Sequence, residues 1–167
     1  GIIGSAVAVL GLITPKVAEY MAEQYRPVVN FLVVSVISFI GLVGLTGFFP
    51  YWGLIPIAFI FIALTFVSFF TSHYLNKITE SHQRATVLSF KGLAFNLAYG
   101  FIGFAFATLI ASLKKQKTST HPELSSEQIA DLAFIDGIGY FPWYALIGFI
   151  VIFSYSWWCL RKNREKS

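Results

Sequence analysis

The sequence predicts an all-α integral membrane protein of about five transmembrane helices, and three observations carry the prediction. Of the 167 residues 56% are hydrophobic and only 12% charged, and the mean hydropathy of +0.70 exceeds what the surface of a water-soluble domain of this size tolerates. Uncharged runs long enough to cross a bilayer recur along the chain. Aromatic residues gather at the ends of these runs and basic residues flank them, as at membrane interfaces.

The central run is Gly92 to Leu113, 22 residues without Asp, Glu, Lys or Arg, entered through Arg84–Lys91 and left through Lys114-Lys115-Gln116-Lys117. As a helix it is roughly 33 Å long, enough for a hydrocarbon core of about 30 Å. The span is placed at about 87–113. On it Gly92, Asn96, Tyr99 and Gly103 follow at helical spacing, flanked by Gly100 and Ala107. Lipid has no use for such a stripe, which points to close packing on a neighbouring helix or to the lining of a polar path.

The chain opens on Gly1 without Met, basic n-region or cleavage site, and its first apolar run is too short to span alone. Residues 1–14 are therefore expected to be the tail of a helix that begins upstream. After Thr14-Pro15-Lys16 comes a polar stretch with Glu19, Glu23 and Arg26, either a short amphipathic helix at the membrane surface or a plain connection.

Pro27 to Asn76 carries no formal charge over 50 residues. At about 75 Å if helical, this suits two crossings. The break falls near Phe49-Pro50-Tyr51-Trp52-Gly53, which gives spans at about 28–49 and 52–71. Ser35, Ser38, Gly41 and Gly44 recur every three residues in the first of them and allow close helix contact. A polar loop follows, in which His73 and His82 read as solvated rather than pH-sensing.

Residues 114–137 form the one sizeable extramembrane segment. In it Ser125-Ser126-Glu127-Gln128 has the form of a capping box opening a short helix, expected on the surface. The last span, at about 139–160, has Tyr140, Trp143 and Tyr144 at one end and Trp157 and Trp158 at the other, and a basic tail, 161–167, closes the chain. Eight Lys and Arg (Lys16, Arg26, Lys77, Arg84, Arg161, Lys162, Arg164, Lys166) fall on one side against Lys114, Lys115 and Lys117 on the other. Excess positive charge marks the cytoplasmic face and predicts a multi-pass protein of the cell (inner or plasma) membrane with its C-terminus inside.

Leu75-Asn76, followed after seven residues by Arg84-Ala85-Thr86-x-Leu88-Ser89 at the opening of a Gly- and Asn-containing span, resembles the loop between the tenth and eleventh helices of major facilitator superfamily transporters. The order of elements resembles the end of that fold across essentially the whole chain: a C-terminal six-helix bundle with its first helix missing. One departure is that Gly11 is followed by Leu12-Ile13-Thr14-Pro15-Lys16, without the Asp-Arg pair such proteins often carry after the eighth helix. The resemblance implies a secondary transporter that moves a small molecule by alternating access. Its N-terminal half would belong to the same chain, and proton and sodium coupling both stay open.

The expected partners are the lipid bilayer and an unknown small-molecule substrate, with no nucleic acid, because the basic residues sit beside apolar runs as topology signals. No cofactor is expected, nor any metal site, because Cys159 is alone and the three histidines lack ligand spacing. Two other classes compete. A membrane-embedded lipid-modifying enzyme needs acid/base pairs or nucleophiles at one depth, and the spans after the first hold no Asp or Glu. A non-transporting scaffold subunit fits the composition but has no need of the loop motif or the polar stripe. The candidate path residues are Asn96, Tyr99 and Lys91, with Lys91 at the mouth of the path or snorkelling to headgroups. Arg84, Thr86 and Ser89 carry the loop motif, and Arg84 is placed to reach lipid phosphates or helix-end carbonyls, or simply to anchor the topology.

Overall fold

The computed structural model describes residues 2–50 and 52–164, with side chains from residue 10 to 162 except 51 and 160. Five long helices follow one another, with no strand among the described residues: α1 (Ile2–Gln24), α2 (Pro27–Leu45), α3 (Leu54–Ile78), α4 (Arg84–Thr120) and α5 (Ser126–Arg164). A 3-10 turn, Ser81–Gln83, leads into α4. The last four helices are long and apolar enough to cross a membrane, and they mark a multi-pass membrane protein. Three parts of the sequence reading, Gly1, Tyr51 at the interfacial turn and the last tail residues 165–167, lie outside the described residues.

Lipid is as apolar as leucine, so helices in a bilayer associate through close packing and polar links rather than through water exclusion. Both operate between α2 and α3. A Cβ on Gly41 would stand 3.1 Å from the Pro56 carbonyl oxygen and 3.2 Å from the Ile60 amide nitrogen, so the backbones meet where the small-residue pattern predicts. Gly44 lies against the Pro56 ring in the same way. Ser35, by contrast, turns its hydroxyl to its own helix, donating to the Phe31 carbonyl at 2.9 Å.

The core forms where α1, α2 and α3 converge and consists of Ala18, Val34, Ala63, Phe66 and Phe70. Phe70 is fully buried, with the ring of Phe31 edge-on at 6.2 Å and that of Phe66 tilted at 5.6 Å. Beside it lies Asn30, also fully buried. Its Nδ2 donates to the Met21 carbonyl at 3.0 Å and to the Tyr74 hydroxyl at 2.6 Å, which joins all three helices at one end of the bundle.

α3 continues past its expected end at about 71 to Ile78, so His73, expected in the loop, lies in the helix and stacks on Phe69. Two further regions run past their expected limits. The first helix, placed at about 1–14 and followed by a separate amphipathic helix or a connection, instead continues through Pro15 to Gln24 as one helix. Proline removes one backbone donor and is costly in an isolated helix. Here Thr14 and Ala18, buried on either side of it, hold the chain in helical register against the bundle.

The second case is the segment 114–137, which is not a loop with a separate surface helix. It comprises the far end of α4, a turn at 121–125 and the start of α5. The capping box forms: the Gln128 amide donates to Ser125 Oγ at 3.3 Å and the Ser125 amide to Gln128 Oε1 at 2.9 Å. The helix it opens then continues unbroken through Pro142 into the last span. Its 39 residues extend roughly 58 Å, well beyond the hydrocarbon core.

The reason is packing between the two extensions. Leu113, Ile129 and Ala133 are buried, and Gly137 lets Ile110 approach to where a Cβ would be only 2.5 Å away. Lys117 Nζ meets Asp136 Oδ2 at 2.6 Å. In the turn, Glu123 Oε1 lies 3.2 Å from His121 Nδ1. The Glu123 carboxyl titrates below its ordinary value, chiefly through a backbone hydrogen bond at its own residue, which desolvation opposes and His121 assists.

Candidate functional site

The candidate face lies on the middle of α4. Every residue from Leu93 to Ala105 is exposed, and Tyr99 is 82% exposed. No atom outside the local helix lies within 4 Å of where a Cβ would sit on Gly92, Gly100 or Gly103. Asn96 makes no hydrogen bond to any described residue. The stripe read from the sequence is thus open along its length, and so is the apolar side of the same turns, where Leu97, Phe101 and Phe104 suit lipid.

Lys91 does not extend toward a helix end. Its ammonium donates to Ser72 Oγ at 2.6 Å and to the Ser68 carbonyl at 3.0 Å, with Ser68 Oγ at 3.4 Å. The same ammonium stands 5.2 Å from the centre of the Phe95 ring. A charge entering hydrocarbon needs such a shell of oxygens, and α3 supplies it from one face through two serines four residues apart. Lys91 thereby joins α3 to the opening turns of α4, and the sequence reading missed both serines. Their spacing within an uncharged run was the available signal.

The loop motif divides. Arg84 donates from Nε to the Thr79 carbonyl at 3.3 Å, at the C-terminal cap of α3, whereas Thr86 and Ser89 are exposed on the first turns of α4. At the opposite end of the bundle, a cavity of about 400 Å³ opens between α2, α4 and α5. Leu42, Ile102, Phe106, Leu109, Phe141 and Tyr144 line it, and it adjoins the exposed stretch of α4 through Ile102 and Ala105. Its walls are almost entirely apolar. The structure therefore does not gather Asn96, Tyr99 and Lys91 into one pocket: Lys91 faces α3, while Asn96 and Tyr99 face outward.

The fold and this face define a multi-pass helical membrane protein with an unpartnered polar stripe on one span. In comparisons with known proteins, the chain matches no family model, no curated protein and no solved structure.

Proposed function

We propose that this chain is the C-terminal bundle of a secondary transporter that moves a small molecule by alternating access and performs no catalysis. The observation that carries the reading is the open stripe at Asn96 and Tyr99. A side-chain amide at that depth requires a polar partner, which lipid cannot provide. A substrate, a water-filled path or a facing helix of a second bundle would provide it, and the clear space over Gly100 and Gly103 gives each of these room. The loop motif around Arg84 and the order of the spans support the same reading, with the N-terminal bundle in the same chain, the C-terminus in the cytoplasm of a cell membrane, and proton or sodium coupling as the energy source.

The test places single cysteines at Asn96, Tyr99 and Phe101 of the full-length chain, with Cys159 replaced by serine. A membrane-impermeant maleimide should modify the first two and spare Phe101, whose side faces lipid. In parallel, Asn96→Ala and Tyr99→Phe should change uptake or efflux of a substrate while leaving protein levels near normal. Equal protection of all three cysteines, together with normal transport by both variants, would make the stripe a packing surface and defeat the path reading.

A further inference from the structure

Where α1, α3 and α4 end or begin, a crevice of about 660 Å³ opens, lined by Glu23, His73, Asn76, Lys77, Arg84 and Leu88. It is the most polar of the cavities described and also the most open, with Glu23, Lys77 and Arg84 exposed, and three helices contribute to it. Two cations and one carboxylate face it, an excess of one positive charge. They do not neutralise one another: none of the three forms an ion pair within 4.0 Å with any described residue. Room therefore remains between them.

Arg84 is oriented for use. Its Nε is committed to the Thr79 carbonyl, and its two terminal nitrogens have no partner among the described residues. Lys77 Nζ has none either. His73 is held from behind, stacked on the Phe69 ring at 5.9 Å and edge-on to Tyr74 at 5.4 Å. The Asn76 side chain adds an amide. The field of α4 has the same sign, because its first turn contains no acid and no side chain caps it. A planar guanidinium with free terminal nitrogens beside an ammonium suits a tetrahedral oxyanion.

We infer that this crevice binds the phosphate of an anionic ligand, with the headgroup of an anionic phospholipid as the favoured source. The charged residues begin here where the apolar runs of α3 and α4 stop, which is headgroup depth, and Leu88 and Ala22 provide apolar wall on which the glycerol end of a lipid can rest. Glu23 opposes the ligand and sets a ceiling on its affinity. The inference is independent of whether the protein transports anything.

The test uses the full-length chain in nanodiscs of phosphatidylcholine doped with phosphatidylglycerol, and native mass spectrometry counts the lipids retained. Arg84→Gln and Lys77→Gln should each lower phosphatidylglycerol retention about fivefold relative to phosphatidylcholine. Glu23→Gln should raise it, a gain that no folding defect produces. In a second arm, inorganic phosphate is added to protein in phosphatidylcholine alone. Thermal stabilisation there with the same dependence on the three residues would identify soluble phosphate as the source, and its absence beside a phosphatidylglycerol signal would identify the lipid. Indifference of both arms to all three substitutions, or a loss of retention in Glu23→Gln, would overturn the site.

Discussion

Asn30 and Tyr74, 44 residues apart in sequence, meet at 2.6 Å through the amide of one and the hydroxyl of the other, in a setting where Asn30 is wholly buried. The same amide nitrogen holds the Met21 carbonyl, so one side chain ties the end of α1, the start of α2 and the last turns of α3. The Asn30 Oδ1 is buried without a partner among the described residues, so this link carries an internal penalty. A double-mutant cycle of Asn30→Ala and Tyr74→Phe, read by unfolding in mixed micelles, should give a coupling of about 0.6 to 1.7 kcal/mol. Additivity of the two substitutions would mean that the hydrogen bond contributes nothing.

Glycines on α2 and α4 should differ in their sensitivity to the same change. Gly41→Ala places a methyl group against the backbone of Pro56 and Ile60, which cannot move aside, and should destabilise by about 1–3 kcal/mol. Gly100→Ala meets no atom and should leave stability within about 0.5 kcal/mol of the parent. Thermal denaturation of the two variants side by side checks the contrast.

The Lys117–Asp136 pair is partly exposed, and its contribution should be small and sensitive to salt. Lys117→Ala should cost about 0.2–1 kcal/mol at low ionic strength and less in concentrated salt. Hydrogen exchange should show faster opening at 114–120 and 129–137, with the α2–α3 contact unaffected.

The two ends of the bundle should lie on opposite sides of the membrane. Ser81 stands in the 3-10 turn before α4 and Ser119 in its last turn, separated by a helix about 50 Å long. In a background lacking Cys159, cysteines at these positions should react with an impermeant reagent from different sides. Reaction from one side would require α4 to return without crossing.

The turn at 121–125 should respond to acid in one direction. The folded chain lowers the Glu123 pKa, so the ionised form stabilises the turn fully above the usual carboxylate range, and that contribution is lost as pH falls through the lowered value. An NMR titration of Glu123 should give a midpoint below that of an unstructured glutamate. Glu123→Gln should remove the acid-dependent loss of amide protection around Leu124. A midpoint at or above the unstructured value would contradict the assignment.

Much of this architecture is legible in the residues, and the exceptions have physical causes. The uncharged run from Pro27 to Asn76, the turn that divides it, the Gly41–Gly44 approach and the Ser125–Gln128 box all act over a few residues, within reach of local rules. Pro15 does not, because its tolerance in α1 depends on Thr14 and Ala18 packing against distant helices. The continuation of α5 past its cap depends likewise on Leu113 and Ile110 arriving from α4. At the candidate site the stripe was visible in the helical spacing of Asn96 and Tyr99. The attachment of Lys91 was not, because its partners Ser68 and Ser72 lie across a turn on another helix.

α4 is fastened near its two ends, by Lys91 on α3 at one and by Phe106, Leu113 and Lys117 on α5 at the other, with an exposed length between. Mechanically this is a beam pinned at both ends: it bows most at its centre and transmits torque from pin to pin. Ser68 and Ser72 form two rungs about one helical pitch, roughly 5.4 Å, apart along α3, and the Lys91 ammonium touches both. Moving the ammonium from one rung to the other would shift this pin by about one turn along α3, while the attachment of α4 to α5 stays where it is.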